Sequence, residues 1–527
     1  MNLSIAKKYT TVDNTKRGIW WALLIGCVFE CILYPKTENI IGCLELVYGW
    51  FLISKFVFTR EHVQRFLLGT IAIFGYGFCY CVLPLIITLI EGKPLTFNFQ
   101  VPYLTFFNQA IDISVIVASY LVAIKIYRPN NILSKLWHWS GFSKAPNDFE
   151  IWTLGFIGLG CMLFNISQQG TDIEAQATGN SSAIIIDALA SFAIAPIVLL
   201  YKNIYGGQGK SATKRLVVFY LLFIMVIGIA TTRRMLIFNG ILTIALIYLA
   251  YCYIKNRRIM TRRNSILLII GIYLATGPVA DLAAAMILNR QISLTSSASE
   301  TFNQVMRLYE DKEQLHFAFQ AYNAATDNGG NNALGWSEYY VDNIFLDRFC
   351  NLRVFDATLY NAQCQGFNNP KGHQYYEDFW ITELPSPIAN ALGLKKTVHG
   401  TVTDDMVIGN FGEKMYSIQG FKVGGETGIG LYMFGYWYYV IAFFTYIVMF
   451  YFLNSYVRFD SVDKMTIPVP ILVIFMRYWT IFLNANGIFS SMGYVFTRAY
   501  TNKILIYCVV FFFLRMISKF FVGSQRR

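Results

Sequence analysis

Long apolar stretches alternate with short polar segments along most of the chain. About 20 apolar residues cross the hydrocarbon core of a membrane as a helix, which satisfies its own backbone hydrogen bonds in lipid. The alternation therefore predicts an all-α polytopic membrane protein with about twelve transmembrane helices. The predicted helices cover residues 18–35, 40–58, 66–90, 103–127, 151–168, 182–201, 215–230, 235–254, 265–288, 430–456, 466–486 and 503–521.

One apolar tract, from Leu216 to Tyr253, contains two adjacent arginines, Arg233 and Arg234. At the rise of an α-helix this tract would be about 60 Å long, roughly twice the hydrocarbon thickness of a membrane. The tract is therefore too long to be a single transmembrane helix. We therefore predict two helices that turn at "TTRR".

The charges of the connecting segments predict how the helices are oriented. The segment "KNRRIMTRRN", from Lys255, carries five basic residues, and the other segments on its side are basic or mixed. The segments on the opposite side, "KTEN", "EGKPLTFNFQVP" and "QQGTDIEAQATGNS", are acidic or nearly neutral. Because basic loops stay in the cytoplasm, we predict that both termini are cytoplasmic. Arg233 and Arg234 then lie on the outer face, against the positive-inside rule.

A long hydrophilic segment, Asn289 to Gly428, separates the first nine predicted helices (1–288) from the last three and a cytoplasmic tail (429–527). Its length of about 140 residues is too great for a plain connection, and the count of preceding helices places it outside. The spacing of apolar residues between Phe302 and Tyr322 predicts amphipathic helix. We interpret residues 289–428 as a large extracytoplasmic loop domain.

The composition agrees with a membrane protein and limits its partners. Of 527 residues, 55% are hydrophobic and 14% charged, with a mean hydropathy of +0.44. The net charge of +12 follows from basic residues in alternate loops, so it does not indicate a nucleic-acid partner. The first apolar stretch follows Lys16 and Arg17 without a small-residue cleavage site, and we interpret it as a retained helix.

Of the ten cysteines, Cys350 and Cys364 fall in the large hydrophilic segment, and the others lie in or beside predicted helices. Two thiols in an oxidising extracytoplasmic compartment predict a disulfide. The alternative is a pair of free thiols in the segment.

The sequence has no Walker loop, HExxH or GxSxG motif, and its five histidines lack the spacing of metal ligands. Neither a cofactor nor a metal is indicated. Ionisable residues in or near the predicted helices are candidate functional groups, because a charge in lipid is costly unless it faces a cavity or a partner. The alternative is that the acids reach the interface or pair with arginines. These residues are Glu30, Glu45, Asp187, Asp281 and Arg477.

Two interpretations of Arg233 and Arg234 stay open. Their guanidinium groups can contact lipid phosphates at an exposed turn, which gives them an anchoring role. Alternatively, the planar fork of each arginine can bind a phosphate or diphosphate through two contacts. A ligand whose diphosphate lies at the outer membrane surface would account for both arginines.

The end of the hydrophilic segment combines carboxylates and a histidine with several glycines. Glycine lets the backbone approach a bulky ligand, and the acidic groups are candidate bases. The alternative is a glycine-rich loop with unrelated carboxylates. The candidate bases are His399, Asp404, Asp405, Glu413 and Glu426, and the glycines are Gly420, Gly424, Gly425, Gly428 and Gly430.

Two short stretches, "TTRRMLIF" and "FGEKMYSIQGFKVGGETGIGLYMFG", together with the helix number and the late large loop, resemble the Wzy-type polymerases of O-antigen, capsule and exopolysaccharide repeat units. That family shares its general plan with the O-antigen ligases. The resemblance covers the whole chain in topology, and these stretches carry it in sequence. It implies a GT-C-like, metal-independent glycosyltransferase in the bacterial cytoplasmic membrane.

The resemblance also implies roles for individual residues. Arg233 or Arg234 would contact the diphosphate of a polyprenyl-linked glycan, and we add Arg477 as a further candidate. Glu413 and Tyr416 match a Glu-x-x-Tyr-like element. The candidate catalytic bases are His399, Glu413 and Asp405, and the candidate glycan-binding residues are Trp336, Trp380 and Tyr416. For the two tryptophans the alternative is packing within the loop.

The implied substrate is a polyprenyl-diphosphate-linked oligosaccharide, with membrane lipid and a chain-length regulator protein as further partners and no cofactor. Two alternatives stay open. A ligase would pass the glycan to another acceptor, and a histidine such as His399 in this loop is more typical of ligases. The other alternative is a lipid-linked sugar flippase. Transporters often consist of two similar halves, and the two halves of this chain differ, which favours an enzyme.

Overall fold

The computed structural model of the protein describes residues 10–129, 131–168, 181–207, 214–230, 234–289, 298–327, 336, 339–347, 349–383, 386–395, 402–403, 406, 424–459, 465–477, 487–488, 496 and 498–524. Over these residues the chain is almost entirely helical, which confirms the predicted all-α class. The β-structure in this part of the chain is a two-stranded antiparallel hairpin of β1 (Arg458–Phe459) and β2 (Met465–Thr466).

The helices before the large hydrophilic segment mostly overlap the predicted apolar stretches. They are α1 (Thr11–Leu33), α2 (Thr37–Val57), α3 (Arg60–Arg65), α4 (Leu67–Ile90), α5 (Pro102–Ile126), α6 (Ile132–Trp139), α7 (Asp148–Gln168), α8 (Ser181–Ala190), α9 (Lys202–Tyr205), α10 (Lys214–Ala230), α11 (Arg234–Ile254), α12 (Arg262–Thr276) and α13 (Pro278–Leu288). The short helices α3, α6 and α9 lie in the predicted connections between those stretches. A 3₁₀ segment, Ser191–Tyr201, joins α8 to α9. Because α10 ends at Ala230 and α11 begins at Arg234, the tract forms two helices, as predicted.

The remaining helices belong to the hydrophilic segment and to the C-terminal part of the chain. They are α14 (Ala298–Glu310), α15 (Lys312–Asp327), α16 (Ile344–Asp347), α17 (Leu352–Gln365), α18 (Pro370–Glu383), α19 (Ser386–Ala391), α20 (Glu426–Phe434), α21 (Tyr438–Ser455), α22 (Val469–Arg477) and α23 (Lys503–Ser524). A 3₁₀ turn, Gly435–Trp437, joins α20 to α21, and a π-turn, Arg498–Asn502, precedes α23.

Within the described residues, seven helices are long and apolar enough to cross a membrane, judged by length and composition. Each overlaps a predicted transmembrane helix. They are Thr37–Val57, Leu67–Ile90, Pro102–Ile126, Ile185–Tyr205, Arg262–Leu288, Glu426–Ser455 and Tyr500–Ser518. The total of twelve, the orientation and the GT-C-like arrangement stay predictions.

The amphipathic pattern after residue 298 is confirmed as two helices, α14 and α15, which separate at Asp311. The Asp311 side chain accepts a hydrogen bond from the Gln314 backbone N–H at 3.0 Å, as expected at a helix start. Val305 of α14 and Leu315 of α15 are buried in one cluster with Met286 of α13. The apolar faces of α14 and α15 therefore pack against the end of the preceding membrane helix.

The predicted disulfide between Cys350 and Cys364 is wrong, because both thiols are free. Helix α17 (Leu352–Gln365) occupies the chain between them, and 14 residues of α-helix span about 20 Å. Bonded cysteines require a Cα separation below about 7 Å. Cys350 is buried just before the helix, whereas Cys364 is exposed in its last turn.

Helix α17 shares the main hydrophobic core of the bundle although it belongs to the hydrophilic segment. Its Leu352, Phe355 and Leu359 are buried in the same cluster as Tyr80 of α4. The Phe355 ring meets the Tyr80 ring edge to face, with centroids 5.8 Å apart. The hydrophilic segment is therefore anchored inside the bundle by this helix.

Candidate functional site

The structure places only some of the residues that the sequence singled out. Arg234 is the first residue of α11, Arg477 the last of α22, and Trp380 lies in α18; their side chains are outside the described part. Trp336 is 4% exposed and packs against Ala357 of α17, which favours the packing alternative for this residue. The candidates that lie wholly outside the described residues are Arg233, His399, Asp404, Asp405, Glu413 and Tyr416.

The acids that the sequence placed near helix ends have different partners from those expected. Asp281 Oδ2 lies 3.2 Å from Lys312 Nζ, and Asp187 Oδ2 lies 3.6 Å from Lys503 Nζ. These two acids therefore pair with lysines rather than with arginines. The carboxylate of Glu30 accepts a hydrogen bond from the Leu95 backbone N–H at 2.6 Å. Glu30 therefore holds the segment between α4 and α5.

Two further carboxylates lie buried among tyrosines where α4, α5, α20 and α21 meet. The Tyr76 hydroxyl donates to Asp112 Oδ2 at 2.8 Å, and the Tyr446 hydroxyl donates to Glu426 Oε1 at 3.0 Å. Asp112 is 3% and Glu426 4% exposed. We call Tyr76, Asp112, Glu426, Tyr446 and Tyr438 the carboxylate–tyrosine cluster. Carboxylates with phenol donors can hold and transfer protons, and buried ionisable groups of this kind mark candidate functional sites in membrane proteins.

Local backbone geometry brings the cluster together. A π-turn over Phe78–Val82 interrupts α4, and Tyr76 and Tyr80 on either side of its start are stacked at 4.5 Å between centroids. Such π-turns are frequent at functional sites because they redirect side chains along a helix. On the other side of the cluster, α21 contributes both Tyr438 and Tyr446, whose hydroxyl oxygens lie 3.4 Å apart.

Helix α17 is fixed beside this cluster by a buried aspartate. Asp356 accepts hydrogen bonds from the backbone N–H groups of Gln100 and Val101, at 2.8 and 3.0 Å, just before α5 begins. It also accepts one from the Thr105 hydroxyl at 2.8 Å and one from Arg353 Nη1 at 2.7 Å. Burial raises the pKa of Asp356, and these donors oppose that rise. Asp356 thus serves as the N-terminal cap of α5 from a distant part of the chain.

Gly425, just before α20, and Gly428, in its first turn, allow α17 to lie directly against the start of that helix. The Gly425 backbone N–H donates to the Thr358 hydroxyl at 2.8 Å. A Cβ at Gly428 would lie 2.7 Å from Thr358 Cγ2 and 3.0 Å from the Leu359 backbone nitrogen. The glycine pattern thus serves close helix packing, and the same contact places Glu426 at the cluster.

Replacing Gly428 by alanine should destabilise the protein by about 1–3 kcal/mol, because the new methyl group would overlap the α17 backbone. Thermal unfolding of the purified protein in detergent measures this. Gly160→Ala in α7 is the matched control, since nothing lies within 4 Å of the Cβ position there. Equal unfolding temperatures for Gly428→Ala and Gly160→Ala would contradict the packing of α17 on α20.

A second contact joins the hydrophilic segment to the connection between α4 and α5. Lys93 Nζ lies 2.8 Å from Asp342 Oδ1 and 3.1 Å from Glu91 Oε2, and Tyr339 also donates to Asp342. Burial raises the pKa of Asp342, but hydrogen bonds from Lys93 and Tyr339 lower it by more, so the pKa lies below its ordinary value. The Glu91 carboxylate accepts hydrogen bonds from the Asp342 and Asn343 backbone N–H groups at 2.8 and 3.2 Å.

Acid should loosen this contact. A carboxyl group whose pKa is lower in the folded state stabilises that state above its unfolded pKa, here 3.8, and the contribution is lost as the pH falls through the folded value. Protection of the Asp342 and Asn343 amides from hydrogen exchange, relative to the intrinsic exchange rate at each pH, should therefore fall below pH 3.8. In Asp342→Asn, protection should fall less with pH. The same fall in wild type and Asp342→Asn would exclude Asp342 as its cause.

Sequence reasoning missed most of this site. It named Glu426 only among several candidate bases and did not single out Asp112 or Asp356. A signal for Asp112 exists, because Asn108, Gln109 and Asp112 are polar residues on one face of an otherwise apolar helix. Asp356 has no comparable local signal, since its partners lie in a distant part of the chain.

No protein-family model, curated protein or solved structure matches the chain. Among the residues that the structure describes, no group of three or more His, Cys, Asp or Glu side chains could hold a metal ion. The function is therefore inferred from the carboxylate–tyrosine cluster, the docking of α17 and the resemblance in sequence.

Proposed function

We propose that the protein is a membrane glycosyltransferase that polymerises polyprenyl-diphosphate-linked oligosaccharide repeat units on the outer face of the bacterial cytoplasmic membrane. The observation that carries the proposal is the position of α17. This helix of the large hydrophilic segment is buried in the bundle against Gly425 and Gly428, within the stretch that resembles the Wzy-type polymerases. Anchored in this way, the segment can cover a substrate held at the end of the bundle.

The reaction needs three things from the protein. The anomeric carbon of one glycan forms a bond to a sugar hydroxyl of a second glycan, its bond to the diphosphate oxygen breaks, and the hydroxyl proton passes to a base. Arg233, Arg234 and Arg477 are the proposed groups that neutralise the departing diphosphate. His399, Glu413 and Asp405 are the proposed bases, and Trp380 and Tyr416 the proposed sugar contacts.

The carboxylate–tyrosine cluster supports Glu426, which the sequence already offers among several candidate bases. Its carboxylate is held in place by Tyr446, and it begins the helix that follows the glycines. Asp112 is held by Tyr76 in the same interior. Both are shielded from solvent in this conformation.

A lipid-linked sugar flippase is the second candidate, because buried carboxylates inside apolar helices are also typical of proton relays in transporters. An O-antigen ligase-like enzyme shares the chemistry of the polymerase but passes the glycan to another acceptor. The three functions differ in their products, which makes them separable by experiment.

The decisive assay uses purified protein in detergent, in chelator-containing buffer, with a polyprenyl-diphosphate-linked repeat unit as the only glycan. A polymerase lengthens the glycan on its lipid carrier. A ligase yields product only when a second acceptor is added, and a flippase yields none because detergent provides no membrane barrier. Product that requires a divalent metal would overturn the metal-independent class.

The corresponding test in cells uses a strain from which the gene is deleted. Loss of long chains with a single repeat retained indicates a polymerase. Full-length chains that stay on the carrier lipid indicate a ligase, and carrier-linked repeats confined to the cytoplasmic face indicate a flippase. Complementation with the wild-type chain is the control.

A further inference from the structure

Three cysteines meet where α1 packs against α2. Cys27 and Cys31 are four residues apart on α1 and therefore share one face of that helix. Cys27 Sγ lies 3.8 Å from the Cys43 carbonyl oxygen, and Cys43 Sγ lies 4.0 Å from the Cys27 carbonyl oxygen. This reciprocal contact means that Cys27 and Cys43 oppose each other at the crossing of the two helices.

The Cys43 thiol is the shared neighbour of the other two. It lies close enough to the thiols of both Cys27 and Cys31 to interact with them electrostatically. Cys27 and Cys43 are buried, whereas Cys31 is half-buried. One thiol of the three is therefore more accessible, and the central thiol can bond to either partner.

The surroundings give this contact a structural consequence. Glu30, between the two cysteines of α1, holds the Leu95 backbone N–H, and Asn39 at the start of α2 accepts hydrogen bonds from the Thr96 backbone N–H and hydroxyl at 3.1 and 2.6 Å. The α1–α2 pair therefore holds the connection that also contacts Asp342 and Asp356. A covalent bond between α1 and α2 would keep that support in place.

We propose that Cys27, Cys31 and Cys43 form a thiol–disulfide exchange site in which Cys43 is bonded to either Cys31 or Cys27, stapling α1 to α2. The oxidant is an organic disulfide. The Cys31 thiolate attacks it, which forms a mixed disulfide and releases one thiol. The Cys43 thiolate then attacks Cys31 Sγ, which forms the Cys31–Cys43 bond and releases the second thiol.

A second exchange completes the site. Attack of the Cys27 thiolate on Cys43 Sγ forms the Cys27–Cys43 bond and returns Cys31 to the thiol form. In total the protein loses two electrons and two protons, and the donor disulfide is reduced to two thiols. Either bond links the same two helices, so the staple persists while its partner changes.

The test uses the wild-type protein in its membrane, treated with dithiodipyridine or with a reducing agent. Free thiols are blocked in denaturant with light N-ethylmaleimide, disulfides are then reduced, and the released thiols are labelled with the heavy reagent. After oxidation we expect most of Cys43 to carry the heavy label, and non-reduced peptides to link Cys43 to Cys27 or Cys31. After reduction we expect Cys43 to carry the light label. Cys252, a buried thiol of α11, should stay light in both samples.

Variants separate the two bonds. Cys27→Ser should retain the Cys31–Cys43 link. Cys31→Ser lacks the thiol that attacks the oxidant, so it should lose the link, as should Cys43→Ser. Cys43 that remains light in oxidised wild type would overturn the proposal, as would heavy Cys43 whose partner is a pyridyl thiol or another cysteine. The wild-type result decides the matter even if a variant fails to fold.

Discussion

Replacing Asp356 by alanine should lower the free energy of unfolding by about 3–5 kcal/mol, the cost of leaving one member of a buried ion pair without its partner. The side chains of Arg353 and Asp356 are 1% and 0% exposed, so water cannot take over the role of the lost carboxylate. The change also removes the cap of α5, because Gln100, Val101 and Thr105 lose their acceptor. Thermal or denaturant unfolding in detergent measures the loss.

Asp342→Ala is the matched control for this prediction. Asp342 belongs to the same hydrophilic segment and also has a basic partner, Lys93, but its side chain is 63% exposed. Because the Asp342 carboxylate is exposed and Lys93 keeps Glu91 as a second partner, we expect a loss of about 0–1 kcal/mol. Similar losses for Asp356→Ala and Asp342→Ala would contradict the view that α17 is anchored through Asp356.

Replacing Arg233 or Arg234 should have the largest effect on activity if the proposed function is correct. Lysine keeps the positive charge but loses the fork that grips a diphosphate, and a lost charge-assisted contact of about 1.5–3 kcal/mol corresponds to a roughly ten- to hundredfold fall in rate. We expect at least one arginine to show this fall as Arg→Lys and to be nearly inactive as Arg→Ala. The measurement is polymer formed per unit of membrane-inserted protein.

Arg258→Lys provides the control for this pair, because Arg258 is exposed in the segment predicted to be cytoplasmic. It should retain wild-type polymer length. If both lysine and both alanine variants at Arg233 and Arg234 also make wild-type polymer, the two arginines are interface anchors and the diphosphate interpretation fails.

The sequence predicts the helices well because their signal is local. An apolar stretch of sufficient length has one stable form in lipid, so α2, α4 and α5 lie where the hydropathy pattern places them. The break between α10 and α11 is predictable for the same reason, since helix length is limited by membrane thickness. These properties depend on composition over about 20 residues and not on what the helix contacts.

The site is harder to predict because its contacts join distant parts of the chain. The cysteine pair shows the difficulty: two thiols in a predicted oxidising compartment favoured a bond between Cys350 and Cys364, whereas helix formation between them separates the thiols. The glycines at the start of α20 show it as well. Gly428 accommodates the backbone of α17. Nothing in the sequence of α17 or of α20 predicts that these two helices are in contact.

The cap that Asp356 provides for α5 has a consequence for the biogenesis of the protein. Gln100 and Asp356 are 256 residues apart, and at about 5–20 residues per second a ribosome needs roughly 13–50 s to synthesise the chain between them. During that interval the amino end of α5 lacks its acceptor. We therefore expect nascent chains that stop before Asp356 to carry an α5 that is sensitive to quality-control proteases, and chains that extend past α17 to be protected.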